Sequence, residues 1–339
     1  MTRENSLTVS SAKRSEIADN ILTDIDLPDR KTPFGVLIWA QFMEHDLTHT
    51  PDNDMEGKTI MCCENGHLVS PKPESCFPIL ISPEDGVYNS RDQRCINFVR
   101  SSFALNEDCT FGPVEQLNVI THWLDGSMIY GSTEATKHKV ADLSTGFMRT
   151  SANGLPPVIE CDAHKKGSTC FLGGVFRIND NPGLLTMYSL WIREHNRIAA
   201  ILKKLNPHWD SNQLYEETRR IVIAQIQHIT YSEWLPIIIG PSLMDKFGIN
   251  VLRNGYRNSY DPSLDPRIKN EFSTAAFRFG HSLGWRKDFS FDNFDKRNKV
   301  NFFSDSCSIY SSYEYSIFLW YHSYIILNIF VKLYTFALH

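Results

Sequence analysis

Apolar positions recur at helical spacing in several stretches of the chain. Residues 34–48 (FGVLIWAQFMEHDLT) place a few polar residues in an apolar run, with no Pro or Gly after Gly35, which predicts a buried helix. Residues 183–205 give the longest such signal, with Leu184, Met187, Leu190, Trp191, Ile198, Ile201 and Leu202 on helical repeats. Residues 211–230 and 265–284 also predict helices, and 115–130 predicts a helix running into a polar turn. Between them, 51–112 is loop-rich and carries five Cys, and 140–170 is punctuated by Gly and Pro. Alternating β-branched runs are few. The expected fold class is mainly α: one large helical domain with long ordered loops and little β.

Composition narrows the possibilities. The chain has 339 residues, 42% hydrophobic and 22% charged, with a net charge of −5. That supports a large core, excludes a disordered chain and argues against non-specific nucleic-acid binding. No P-loop, GxGxxG motif or internal repeat is visible. The polar first 30 residues read as surface strand or coil, with no secretory signal as written and no N-glycosylation acceptor. Residues 300–339 differ from the rest, holding 12 of the 41 aromatics and only three charged residues, Asp305, Glu314 and Lys332.

Four polar clusters carry candidate chemistry. Gln41, Glu44, His45 and Asp46 lie in apolar sequence, and Gln41 and His45 share a helix face. Burying an amide, an imidazole and a carboxylate together costs several kcal/mol unless each finds a partner, so the cluster is either a site or a solvated helix end. In THWLDGS, Thr121, Asp125 and Ser127 offer side-chain oxygens, with the Trp123 carbonyl between them. Such a set suits a hard cation such as calcium if a further carboxylate, for example Asp46, joins it; otherwise it is an Asp-Gly turn. Arg177, followed by Asp180, is either a buried electrostatic group or a surface arginine. His281, on an apolar stretch with Phe277, Phe279 and Leu283, is either a satisfied core histidine or an axial haem ligand.

In this order, and with WAQFMEHDLTHT, MCCENG, QRCINFVRSS, GPVEQLNVITHWLDGSMIYGS, WIREHNRIAAILKKLNPHWD, RRIVIAQIQHITYSEWLPIIIG and TAAFRFGHSLG, the chain resembles the animal haem peroxidases. The peroxinectin-like and chorion-peroxidase-like subgroup is the nearest. The resemblance implies a helical fold around a buried haem b, with His45 as distal histidine, Arg177 as distal arginine, Gln41 ordering the distal pocket and His281 as proximal ligand. His45 would move a proton from one peroxide oxygen to the other as the O–O bond breaks, with Arg177 stabilising the charge. Asp46, Thr121, the Trp123 carbonyl, Asp125 and Ser127 would bind calcium and fix the His45 helix. The implied partners are hydrogen peroxide and a small phenolic or halide donor, in an exported, oxidising setting that extends to oxidative stress, without nucleic-acid or membrane contact. The rival readings are a catalytically inactive adhesion or binding protein of the same fold, or a fragment too short to hold haem. A fatty-acid dioxygenase is disfavoured because carboxylates persist beside the distal His and Arg.

The sequence also departs from the family pattern. The carboxylates that tie haem through esters are usually an Asp and a Glu; here they are Glu44 and Asp180, one methylene longer and one shorter. Asn181 stands where some members have a sulfonium-forming Met, and Val175 where an Asp is usual. The family resemblance fades near residue 297. The expected organisation is therefore an incomplete peroxidase domain over 1–299 and a non-family tail over 300–339, either read-through sequence or, through Ile317–Leu338, a membrane segment. Among the Cys, the pairs expected from loop size are Cys63–Cys76 and Cys161–Cys170, with an odd residue left over.

Overall fold

The computed structural model describes residues 31–85, 88–105, 110, 115–161, 169–255, 260–283, 288–292 and 296–300. The aromatic tail beyond residue 300 and Cys109 lie outside them. The chain forms two units, His49–Val119 and Arg30–Thr48 with Ile120–Phe302.

The second unit is built on helices α1 (Gly35–Leu47), α2 (Ser127–Tyr130), α3 (Glu134–Val140), α4 (Pro182–Leu205) and α5 (Ser211–Ile229). The long helices begin where the chain supplies a cap. Asn181 accepts the Leu184 N–H ahead of Pro182, and Asp210 accepts the Gln213 N–H, so each side chain satisfies one of the orphan donors of a first turn. Beyond α5 the chain continues as a π turn, Thr230–Trp234, then α6 (Leu235–Ile239) and α7 (Pro241–Lys246). The π turn places Trp234 so that its indole N–H donates to the Val36 carbonyl, and Thr230 so that its hydroxyl accepts from Trp39. Both bonds tie α1 to the end of α5. The core holds Phe42 and Met43 of α1, Leu184, Tyr188 and Ile192 of α4, and Val222 and Ile226 of α5, all buried. Phe42 meets Tyr188 edge-on with ring centroids 5.1 Å apart, a favoured aromatic geometry.

Two helix expectations need correction. Over 115–130 only Ser127–Tyr130 is helical; Glu115–Gln116 is a strand paired with Phe103–Ala104. The amides of Leu117 and Val119 donate to the Ser102 and His49 carbonyls, so this backbone is committed to extended pairing instead of a helical ladder. Over 265–284 the chain forms a short α8 (Asn270–Thr274) and a 3-10 segment, Ala276–Leu283. An Asp265 carboxylate holds the Arg267 N–H in a turn ahead of α8, and Ala275 breaks the helix at φ −131°.

In the first unit, as in the loops of the second, the described strands pair only as two-stranded antiparallel ladders, and the first unit adds one 3-10 turn, Asn89–Arg91. Its core gathers Ile60 and Val99 around Cys62, Cys63, Cys76 and Cys95. The disulfides are Cys62–Cys76 and Cys63–Cys95, not Cys63–Cys76. Loop length could not distinguish two adjacent cysteines; the Asn97 side-chain carbonyl, which accepts both the Cys62 and Cys63 amides, holds the pair in place. Cys161–Cys170 forms as expected, at the end of the Val158–Glu160/Thr169–Phe171 ladder. No described helix is long and apolar enough to cross a membrane.

Candidate functional site

The last two turns of α1 carry Gln41, Glu44, His45 and Asp46, and the last three are buried. The polar residues are partnered rather than solvated, which decides against a solvated helix end. The Tyr188 hydroxyl lies 2.9 Å from His45 Nδ1. His45 Nε2 lies 3.6 Å from an Asp180 carboxylate oxygen and 3.8 Å from Glu44. Burial, then the charge of Arg177, lowers the His45 pKa and favours a neutral ring. The Gln41 side-chain carbonyl accepts from Asn181 at 2.9 Å, joining α1 to the cap of α4.

Arg177 reaches this group from a 3-10 turn, Phe176–Asn179. Nη1 donates to Glu44 at 2.7 Å, and Nη2 donates to the carbonyls of Thr48 at 2.9 Å and His45 at 3.3 Å. A guanidinium is thus seated on the C-terminal carbonyls of α1, where helix polarity favours a cation. Its Nε is buried with no hydrogen-bond partner. Glu44 also accepts from the Thr48 hydroxyl at 2.6 Å and pairs with Arg278 at 3.1 Å. Burial alone would raise its pKa; Arg177 and Arg278 override that and hold it at about 2.

His281 sits on the 3-10 segment three residues after Arg278, and the segment packs on α1, where Gly280 faces Leu37. Its surface is exposed, yet enough protein surrounds it that burial, then Arg278, lowers its pKa to about 4. A lowered pKa favours the neutral imidazole, the form in which a histidine binds a metal. With the open Asp180 side chain and the unpartnered Arg177 Nε, this donor set fits a haem.

A second group forms behind His45. Asp46 accepts from the Gly126 N–H at 3.0 Å, the Ser127 hydroxyl at 2.8 Å and the Met128 N–H at 3.3 Å. Asp125 accepts from the Thr121 hydroxyl at 2.9 Å and the Ser127 N–H at 3.0 Å. Burial, then the Asp125 charge, raises Asp46 to about 8. Two close carboxylates with two hydroxyls form an all-oxygen set of the kind a hard cation takes. Among the described residues no cluster of three or more His, Cys, Asp or Glu forms a metal site.

The family model for animal haem peroxidase matches residues 4–315. The chain belongs to that family. It is 37% identical over 279 residues to Chorion peroxidase of Drosophila melanogaster, covering 79% of this chain and 34% of that protein. It is 39% identical over 281 residues to the human Peroxidasin homolog, covering 77% of this chain and 18% of that protein. The chain thus spans about a third or less of the length of these relatives. Peroxidase A of Dictyostelium discoideum shares the fold, with a TM-score of 0.68 at 24% identity over 88% of this chain and 56% of that one. The mainly helical animal-peroxidase fold expected from the sequence is therefore present.

Of the expected site residues, the structure brings Gln41, Glu44, His45, Arg177 and Asp180 together around one end of α1, and gathers Asp46, Thr121, Asp125 and Ser127 behind it. His281 lies on the segment that meets the first group through Arg278 and Gly280, and its ring feels the charges of Arg278 and Glu44. Tyr188, Thr48, Asn181 and Arg278 were missed as site residues. Thr48 lies four residues after Glu44 and Arg278 three before His281, spacings that share a helical face. Tyr188 had only the apolar repeat of α4 as a signal.

Proposed function

We propose that the chain is the haem-binding portion of a peroxidase that reduces hydrogen peroxide and oxidises a small phenolic or halide donor. The observation that carries this reading is the buried His45 beside an Arg177 whose Nε lacks a partner, on a helix packed against the His281 segment. His281 would hold the haem iron, and a bound haem b supplies the redox equivalents.

The chain's own groups would then manage protons and charge. His45 Nε2 takes the proton from one peroxide oxygen and returns it to the other, which leaves as water. For Nε2 to accept, Nδ1 must carry the ring hydrogen and donate it to the Tyr188 oxygen. Burial keeps the Tyr188 phenol protonated by raising its pKa well above the usual value, so the hydroxyl is available in either role. Arg177 offers positive charge as the O–O bond breaks. Gln41, fixed by Asn181, orders peroxide, water or halide. Asp46, Thr121, the Trp123 carbonyl, Asp125 and Ser127 bind calcium and brace the end of α1. The three disulfides among the described residues suit an exported, oxidising setting.

The test is a visible spectrum of the purified chain titrated with haem, followed by peroxide. A saturable Soret band that His281→Ala removes, and that peroxide shifts only with His45 intact, is the expected result. Broad, non-saturating uptake indifferent to His281 overturns the reading in favour of a fragment too short to hold haem.

A further inference from the structure

The carboxylates of Glu44 and Asp180 stand in contrasting surroundings. Both Glu44 oxygens are occupied: Oε1 by the Thr48 hydroxyl at 2.6 Å and Arg278 at 3.1 Å, Oε2 by Arg177 at 2.7 Å. The Glu44 side chain is 9% exposed, whereas that of Asp180 is 37% exposed. Arg177 comes from the turn before α4, and Arg278 from the turn before His281. The one carboxylate therefore ties three separate stretches of chain together.

We propose that Glu44 is a positioning residue, a permanent ion bridge between Arg177 and Arg278, and that its carboxylate does not form a covalent bond to haem. This rests on the haem-binding reading of the same site. Three features of the geometry support it. An ester at Glu44 would convert an anion into a neutral group and remove the carboxylate that two partly buried guanidiniums face, and breaking such a pair from one side is unfavourable. The guanidinium of Arg177 is set by two restraints, the carbonyls at the end of α1 and the Glu44 oxygen; loss of the second frees its Nη1 edge. Arg278 is pinned to α1 through Glu44 alone among its described polar contacts, and that pin fixes how the His281 segment lies on α1. Glu44 thus acts on the site through the two arginines.

Two measurements test this on the full chain. Carbodiimide coupling of an amine to carboxylates, read peptide by peptide by mass spectrometry, needs no haem. Under native conditions Asp180 is expected to be modified and Glu44 to be spared, and Arg278→Gln is expected to render Glu44 reactive. Native modification of Glu44 as readily as Asp180, or a Glu44 indifferent to Arg278→Gln, overturns the bridge. The second measurement uses haem-loaded chain cycled with peroxide, unfolded, digested and searched for the haem mass. The peptide containing Glu44 is expected to be free of it, and haem mass on Glu44 overturns the proposal. If the chain takes up no haem, the functional reading fails, while carbodiimide coupling still decides the role of Glu44.

Discussion

The Tyr188 hydroxyl sits 2.9 Å from Nδ1 of His45, and both side chains are essentially without exposure. A buried imidazole nitrogen needs a partner, and this phenol supplies it across 143 residues of sequence. Tyr188→Phe removes the partner and keeps the ring packed on Phe42. The expected cost in unfolding free energy is about 1–3 kcal/mol, the penalty for leaving a buried polar group unsatisfied. In haem-loaded chain the peroxide reaction is expected to slow while haem affinity stays near that of the parent. A variant as stable as the parent, with an unchanged peroxide reaction, would show that the contact fixes nothing.

His195 predicts a pH dependence of stability. It is fully buried, with Nδ1 3.0 Å from the Tyr130 hydroxyl and Nε2 3.3 Å from the Gly146 carbonyl. That arrangement suits a neutral ring with its hydrogen on Nε2, and burial lowers its pKa to about 4. The unfolded chain titrates near 6.5, so between these values it binds more protons than the folded chain. Stability from this group is complete above about pH 6.5 and declines as the pH falls toward 4, by about 3 kcal/mol in all. Denaturant unfolding at a series of pH values, for the parent and for His195→Gln, checks this. An equally steep decline in the variant places the dependence elsewhere.

The sequence made the long helices legible because their signals are local. α4 and α5 follow apolar repeats opened by Asn181 and Asp210, and α1 is an apolar run with no Pro or Gly after Gly35. Residues 115–130 misled because their apolar positions suit a helix while their amides pair with Ser102 and His49, partners no periodicity reveals. The adjacent Cys62 and Cys63 misled for the same reason, since their pairing is set by fold and not by loop length. At the site, each polar cluster was visible, but the choice between buried site and solvated surface was not. It depends on contacts such as Arg177 with Glu44 and Tyr188 with His45, which join distant positions.

Gly174 gives a packing prediction. A Cβ there would lie 2.5 Å from the carbonyl oxygens of Ser127 and Met128 and 2.6 Å from the Gly131 amide nitrogen. These are backbone atoms of α2 and its end, so they cannot swing aside, and Gly174 leads directly into the turn that carries Arg177. Gly174→Ala is expected to cost about 1–3 kcal/mol through forced backbone displacement. At Gly183 the added Cβ would meet the end of the Ile38 side chain at 2.6 Å, which can rotate away. Thermal unfolding should therefore rank Gly174→Ala well below Gly183→Ala. Equal melting temperatures would mean that α2 yields where its geometry says it should not.

The oxygen cluster behind His45 predicts a cation dependence. Asp46 is fully buried and Asp125 disfavours its ionisation, a penalty that a divalent cation between the two carboxylates would relieve. Calcium binding to the folded chain alone raises stability by about 2.7 kcal/mol at a concentration one hundred times its Kd. Calcium is expected to raise the melting temperature, chelator to reverse the gain, and Asp125→Asn to abolish the increment. Because Asp46 directly follows His45 at the end of α1, chelation of haem-loaded chain is also expected to alter the Soret band. A melting temperature indifferent to calcium and chelator in the parent would leave the cluster as a turn held by its own hydrogen bonds, with Asp46 braced by the Ser127 hydroxyl and the Gly126 and Met128 amides.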